Sequence, residues 1–200
     1  EAELAAALGI GRNTLREALK VLQALGVVEI RHGFGMFVAP ANFDALADGL
    51  TFRGRLSLRH EGKEALQLVD VRQALEAGLI GEAMDLWTPE HLEEIEATVQ
   101  EMEAAAADGK TFTEVDERFH YQLFEPLGNE LLSNLMSVFW QVYRKIHLEL
   151  GGDPLVNLQE NAAVHRGILE AVKAGDKELA SERLRRHFDG IRAQLAKLRD

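Results

Sequence analysis

The chain has 200 residues, enough for one large domain or two small ones, and with 46% hydrophobic and 28% charged residues it can bury a core. It has no cysteine, which excludes disulfides, thiolate metal sites and thiol nucleophiles, and no apolar run approaches the roughly 18 residues of a membrane helix. The net charge of −11 argues against a general nucleic-acid coat protein, yet residues 1–40 are neutral, with Arg12, Arg16, Lys20 and Arg31 set against Glu1, Glu3, Glu17 and Glu29.

The surplus acid therefore lies in residues 41–200, and the chain divides into a neutral head and an acidic body. No basic, apolar, small-residue leader is visible, so a cytoplasmic protein without membrane contact is expected.

In the head, Leu4, Ala5 and Leu8 recur at helical spacing and stop at Gly9. A second helix is predicted from about 13 to 25, with Leu15, Leu19 and Leu22 inward and Gly26 as its stop. Val27 to Ile30 reads as a strand, His32-Gly33-Phe34-Gly35 as a turn, and Met36-Phe37-Val38 as a second strand, closed by Pro40. Helix, turn, helix and hairpin in that order is the layout of a winged helix-turn-helix, so residues 1–40 are assigned to DNA binding. The first turns of its second helix offer Arg12, Asn13, Thr14 and Arg16 to base edges and phosphates, and the wing carries His32 near its tip. Taken alone, residues 12–16 are also compatible with a solvated amphipathic helix bearing two ordinary arginines. The hairpin that follows favours DNA.

Residues 41–200 read as an all-α antiparallel bundle. Helices are predicted near 42–53, 64–86, 89–107, 111–125, 129–150, 155–174 and 176–198. The breaks fall at Gly62, Thr88-Pro89, Gly109, Gly128, Gly151-Gly152-Asp153-Pro154 and Gly175-Asp176. Thr88-Pro89 has the form of an N-cap with proline in the first turn. The fold class is thus mainly α, a winged head followed by a helical bundle.

Four bundle residues do not suit a plain apolar core. Asp116 and His120 share the stripe of Phe112, Phe119 and Leu123; His165 shares a face with Ile168, Leu169 and Val172; His187 shares one with Ala180, Leu184 and Ile191. A carboxylate facing a core is costly unless it is paired or holds a cation. Asp and His one turn apart can grip one metal, and an Asp/His₃ set suits zinc first, then nickel, manganese or iron, while being too nitrogen-rich for magnesium or calcium. The plainer alternative is a hydrogen-bonded cluster of core histidines. Arg72, among Leu68, Val69, Leu75 and Leu79, also points inward by pattern, with a helical Arg72–Glu76 ion pair as its plain reading. His60, His91 and His147 are read as non-ligands.

Two stretches resemble a known family. The run from Leu4-Ala5 through Gly9-Ile10-Gly11-Arg12-Asn13-Thr14-Leu15-Arg16-Glu17-Ala18-Leu19, with Leu22, Gly26, Gly33, Gly35 and Phe37-Val38, is similar to the winged-helix head of GntR-type bacterial transcription regulators. That resemblance implies DNA contacts from Arg12, Thr14, Arg16, His32 and Gly33, and a further head helix ahead of residue 1. Two departures stand out: Gly11 where the family usually has Ser or Thr, and Ala2 where it often has a phosphate-contacting Arg. Asp116-Glu117-Arg118-Phe119-His120, His165 to Val172, Gly175-Asp176, Ala180, Leu184 and His187 resemble the FCD effector domain of the FadR subfamily.

In metal-binding FCD domains the Asp and three His at these motif positions hold the metal. The resemblance thus implies one divalent transition metal per chain on Asp116, His120, His165 and His187, and argues against an acyl-CoA effector. It also aims Arg72 at the effector cavity, where a guanidinium beside a metal would select a small carboxylate, such as a hydroxy acid, sugar acid or dicarboxylate. Asn129, Tyr143 and Arg144 are weaker cavity candidates: Asn129 is equally an N-cap, and Tyr143 and Arg144 are equally surface residues.

The function expected is a ligand-responsive repressor, not an enzyme, that binds double-stranded operator DNA as a homodimer and is nucleoid-associated in the cytoplasm. Activation is the alternative sign. A metal-dependent enzyme is the rival, with Glu76 or Glu160 as its only visible bases, and a metal-sensing regulator is a third reading.

Overall fold

The computed structural model describes residues 1–40, 43–58, 63–149 and 157–197. Of the predicted features, His60, the break at Gly62, the Gly151–Pro154 break and the outer ends of the last two predicted helices lie outside these residues, as does the side chain of His147. The chain forms two compact units, Glu1–Leu50 and Thr51–Asp200.

The first unit begins with α1 (Ala2–Leu8) and α2 (Arg12–Ala24), followed by β1 (Val28–Arg31) and β2 (Gly35–Val38). Ala5 in α1 and Leu15 in α2 are the buried residues of these two helices. Gly9 ends α1 in the left-handed conformation (φ 65°), which a side chain would resist, and turns the chain within three residues into α2. The N-cap of α2 is Gly11, which supplies no side-chain cap to the helix's free N–H groups. The strands pair antiparallel with Val28 opposite Val38 and Arg31 opposite Gly35. The Arg31 guanidinium lies 4.8 Å from the Phe37 ring centroid. This is the winged helix-turn-helix layout predicted from the sequence.

α3 (Asp44–Leu58) runs across the division between the units. The second unit continues with α4 (Lys63–Met84), α5 (Pro89–Ala107), α6 (Thr113–Phe124), a short 3-10 turn, α7 (Glu130–Glu149), α8 (Leu158–Lys173) and α9 (Lys177–Lys197). α4 packs along α9, and α5 packs on α6 and α8. The buried centre is Ile80, Ile95, Val99, Met102, Phe119, Leu123, Ile168, Leu169 and Leu184, from five helices. Each such side chain contributes roughly 1.5–3 kcal/mol on burial, so this core dominates the unit's stability.

Phe112, expected inside a helix, is instead the N-cap residue of α6, but its carbonyl still accepts from Asp116 N at 2.8 Å. The stripe running from Phe112 to Asp116 is therefore preserved. Thr88 caps α5 as expected, and the histidine three residues on completes the cap. Thr88 Oγ1 accepts from His91 N, and Thr88 N donates to His91 Nδ1 at 3.3 Å. That use of its ring keeps His91 at the helix start.

A charge network ties α5 to α8. Arg166 donates to both carboxylate oxygens of Glu103 at 2.8 Å each and to Glu96 at 2.5 Å; Lys173 also pairs with Glu96. Lys173 first, then Arg166, holds the Glu96 carboxyl down at about 2. Because the folded value is depressed, this contribution is complete above the ordinary glutamate range and is lost as pH falls from about 4.5 towards 2. Arg166→Met should lower the unfolding free energy by about 1–2 kcal/mol at pH 7. In urea titrations the difference from the unsubstituted chain should shrink at pH 3. An unchanged difference would assign the loss to packing.

Candidate metal centre

Three helices converge on one point. α6 presents Asp116 and His120 one turn apart because Phe119 and Leu123, fully buried, anchor its inward face. α8 presents His165 from the face that buries Ile168, Leu169 and Val172. α9 presents His187 between buried Leu184 and Phe188. One donor atom from each of Asp116, His120, His165 and His187 lies within 4.8 Å of every other. His165 Nε2 is 2.9 Å from Asp116 Oδ1, His120 Nε2 is 3.3 Å from the same oxygen, and the Nε2 atoms of His120 and His187 are 3.1 Å apart. Four ligands around a zinc-sized ion, at bond lengths of about 2.1 Å, are roughly 3.4 Å from one another. The three shortest of these separations, 2.9 to 3.3 Å, lie within about half an ångström of that spacing.

The outer ring nitrogens explain why these particular atoms face inward. His120 Nδ1–H donates to Glu76 Oε2 at 2.6 Å, and His165 Nδ1–H donates to the Asn161 carbonyl at 2.8 Å. A carboxylate and a carbonyl only accept, so both Nδ1 atoms carry the hydrogen and both Nε2 atoms are left for the centre. This is the arrangement of metal-bound histidines, whose second nitrogen is tied to a carboxylate or backbone oxygen. The Nε2 atoms of His120 and His165 both face Asp116 Oδ1, and acceptor against acceptor is favourable only with a hydrogen or a cation between them. The donor set therefore fits a transition-metal cation.

The electrostatics agree. Burial alone would raise the Asp116 carboxyl, but His165 and His120 outweigh it and hold it well below its ordinary value. Burial, reinforced by His165 and His120, pushes His187 well below its ordinary value and keeps it neutral. Burial also opposes charge on His120, yet Glu76 and Asp116 outweigh burial and Arg72 and raise it.

Beside the cluster, on α4, Arg72 is buried and its Nε donates to Glu76 Oε1 at 2.6 Å. Burial works against the Glu76 charge, but Arg72 and His120 outweigh it and lower its carboxyl. The sequence pointed Arg72 inward, with a helical Arg72–Glu76 ion pair as the plain alternative; in the structure the ion pair forms and is buried. The Arg72 guanidinium lies 4.3 Å from the ring centroid of Trp140, on α7, and 5.2 Å from that of Phe188.

The other expected contacts fall elsewhere. Asn129 is exposed and serves as the cap of α7, its Oδ1 accepting from Leu132 N at 3.1 Å. Arg144 is partly exposed and pairs with Glu117. Tyr143 meets Trp140 edge to face at 5.7 Å. In the first unit Arg12, Thr14, His32 and Gly33 are exposed, and Arg16, also exposed, donates to Glu1 at 3.0 Å. Sequence reasoning gave Glu76 the roles of ion-pair partner to Arg72 and of a rival's base, and missed Trp140 and Phe188. The i, i+4 spacing from Arg72 was the available signal for Glu76; an aromatic in an apolar helix gave none for the other two.

A winged helix-turn-helix followed by a helical unit with this cluster defines a class, the two-domain bacterial transcription regulators. The family described as "FCD domain" matches residues 67–190, and "Bacterial regulatory proteins, gntR family" matches residues 1–38. The chain belongs to the GntR family of DNA-binding transcription regulators, with an FCD domain, and is not an enzyme.

Its relatives include the HTH-type transcriptional regulator LutR of Bacillus subtilis, 28% identical over 192 residues (94% of this chain, 86% of LutR). The galactonate operon transcriptional repressor of Escherichia coli is 25% identical over 182 residues (91% of this chain, 80% of the relative). Among solved structures, a Streptococcus agalactiae GntR shares the fold with a TM-score of 0.57 at 24% identity, covering 96% of this chain and 86% of that one. Escherichia coli McbR/YncC does so at 0.59 and 19% identity, covering 100% and 86%.

Zinc, nickel or manganese at a hundredfold excess over its Kd should stabilise the chain by about 2.7 kcal/mol. A raised midpoint in scanning calorimetry would show this. His187→Ala should abolish the rise. A midpoint that none of the three metals moves would leave the cluster a hydrogen-bonded core.

Proposed function

We propose that the helical unit is a metal-anchored sensor of a small carboxylate, and that its occupancy sets the affinity of the winged head for operator DNA. The observation that carries this is the convergence of one donor atom each from Asp116, His120, His165 and His187 within 4.8 Å, with two of the outer ring nitrogens already committed to protein acceptors. Zinc suits four nitrogen and oxygen donors best, with nickel, manganese and iron as alternatives. The cation would lend its charge to an incoming carboxylate. Arg72 would hold a carboxylate through the side of its guanidinium not engaged by Glu76, and the buried surroundings would strengthen that pairing by excluding water.

The arrangement of winged head and effector domain supports placement within the FadR subfamily and action as a cytoplasmic homodimer on a pseudo-palindromic operator. Exposed Arg12, Thr14 and Arg16 at the start of α2 would meet base edges and phosphates, and His32 and Gly33 would add wing contacts. Ligand binding must favour one placement of the heads over another for DNA affinity to respond. Two of the relatives are named as repressors, of a galactonate operon and, by its description, of a D-xylose utilization operon, which supports repression as the sign.

Two experiments test the reading. Elemental mass spectrometry on untagged protein should find about one transition metal per chain, lost in His165→Ala. Gel shifts with duplexes selected from random DNA should give a bound site. A cognate acid should change its affinity roughly 5- to 150-fold, the range of a coupling of about 1–3 kcal/mol. Arg16→Ala should weaken DNA binding without altering metal content, and His165→Ala should abolish the acid response. Acids that are consumed on incubation would refute a sensing role.

A further inference from the structure

The Arg72–Trp140 contact contains two buried polar atoms without a partner among the described residues: Arg72 Nη2 and Trp140 Nε1. Both residues are more than nine-tenths buried, Arg72 at 6% exposure and Trp140 at 2%. An orphaned buried donor costs about 1–3 kcal/mol, so two on adjacent side chains call for an acceptor that the fold itself does not provide. The other tryptophan shows the contrast, since Trp87 Nε1 donates to the Leu123 carbonyl at 3.2 Å. Trp140 gains its cation–π contact from its ring face, 4.3 Å from Arg72 Cζ, and that contact does nothing for the N–H at the ring edge.

Resting on the carboxylate reading above, we infer that Trp140 Nε1 is a specificity contact. It receives an oxygen acceptor carried next to the carboxylate that Arg72 holds, so the ligand is a hydroxy or oxo acid and not an amino acid or a plain aliphatic acid. The chemistry follows from the two groups. An indole N–H donates, never accepts and does not titrate, and a guanidinium is likewise a pure donor. A hydroxyl or carbonyl oxygen satisfies such a pair. A methylene leaves the indole unpaired, and an ammonium offers only hydrogens and is repelled by Arg72. Sites built to bond a substrate oxygen reject analogues lacking it because their own buried donors are stranded. The tryptophan thus turns a general carboxylate site into one that also reads the neighbouring carbon.

The test uses the zinc-loaded full chain and a matched set: L- and D-lactate, pyruvate, D-galactonate, propionate and L-alanine. Calorimetry should rank at least one hydroxy or oxo acid above propionate and alanine. Trp140→Phe keeps the ring against Arg72 and removes only the donor. It should bind that acid about 3- to 10-fold more weakly, the worth of one hydrogen bond, while propionate is unaffected. In ¹⁵N-labelled unsubstituted chain, the Trp140 indole resonance, assigned with Trp87→Phe, should move downfield with the preferred acid and stay in place with propionate. This second reading survives if the phenylalanine variant does not fold. Equal binding by Trp140→Phe, or an indole resonance that the preferred acid leaves unmoved, would overturn the role of Trp140 alone, provided that Arg72→Met still loses the acid. If no acid of the set binds the zinc-loaded chain, the carboxylate reading falls and this one falls with it.

Discussion

Glu76 has both oxygens engaged, one by Arg72 Nε and the other by His120 Nδ1, each at 2.6 Å, with the whole group buried. A lone carboxylate there would be untenable, and a lone guanidinium nearly so. Their pairing is what allows α4 to bring a guanidinium up to the candidate metal cluster of α6, α8 and α9. The same carboxylate fixes the tautomer of His120, which decides that Nε2 and not Nδ1 faces Asp116. Removing one partner would strand the other two, and losses from broken buried pairs are large, about 3–5 kcal/mol. The arrangement also joins the two halves of the site. Charge drawn from Glu76 toward His120 leaves less to neutralise Arg72, and any such exchange links occupancy of the metal position to affinity at the guanidinium, reciprocally.

The two sides of the site have opposite character. Asp116 Oδ1 and the Nε2 atoms of His120 and His165 are acceptors, and they suit a cation. Arg72 Nη2 and Trp140 Nε1 are donors, and they call for oxygen. Glu76 stands at the boundary and belongs to both. A cation carrying an oxygen-rich acid satisfies both sides at once, whereas either component alone leaves one side unmatched. This complementarity joins the proposals on metal and acid, and it arises from five helices that otherwise pack through ordinary aliphatic residues.

Much of this was legible in the sequence. The head was readable because glycines mark its turns: Gly9 and Gly33 both adopt positive φ, at 65° and 81°. The four cluster residues were readable because polar groups on apolar stripes break a regular pattern, and a period of 3.6 gives their direction. Glu76 was harder. An Arg and a Glu at i, i+4 look alike on a wet face and on a buried one, and only the packing of α4 against α9 and α6 separates the cases. Trp140 was invisible because an aromatic on an apolar helix is the ordinary core pattern; its significance lies in what its N–H lacks, which is a three-dimensional fact. Asn129 shows the reverse case. A polar residue after a glycine suits a cavity and a helix cap equally, and the backbone N–H of Leu132 takes it as a cap.

The same details bear on the proposed sensing role of the helical unit. Metal-assisted hydrolysis needs a base free to take a proton from water, within about 3 Å of the reacting atoms. Glu76 is adjacent but has no free oxygen, and its carboxyl is held down by two cationic partners. Glu160, the other carboxylate considered, is exposed in the first turn of α8, where its N–H is capped by Asn157. Asp116 belongs to the donor set itself. Glu117 is tied to Arg144. Of the two carboxylates that the sequence offered as bases, Glu76 is thus committed to partners and Glu160 is exposed, and the orphaned Arg72 Nη2 and Trp140 Nε1 are donors that do not accept a proton. A lining of this kind would suit the proposed role, in which an acid is gripped and oriented: occupancy without turnover.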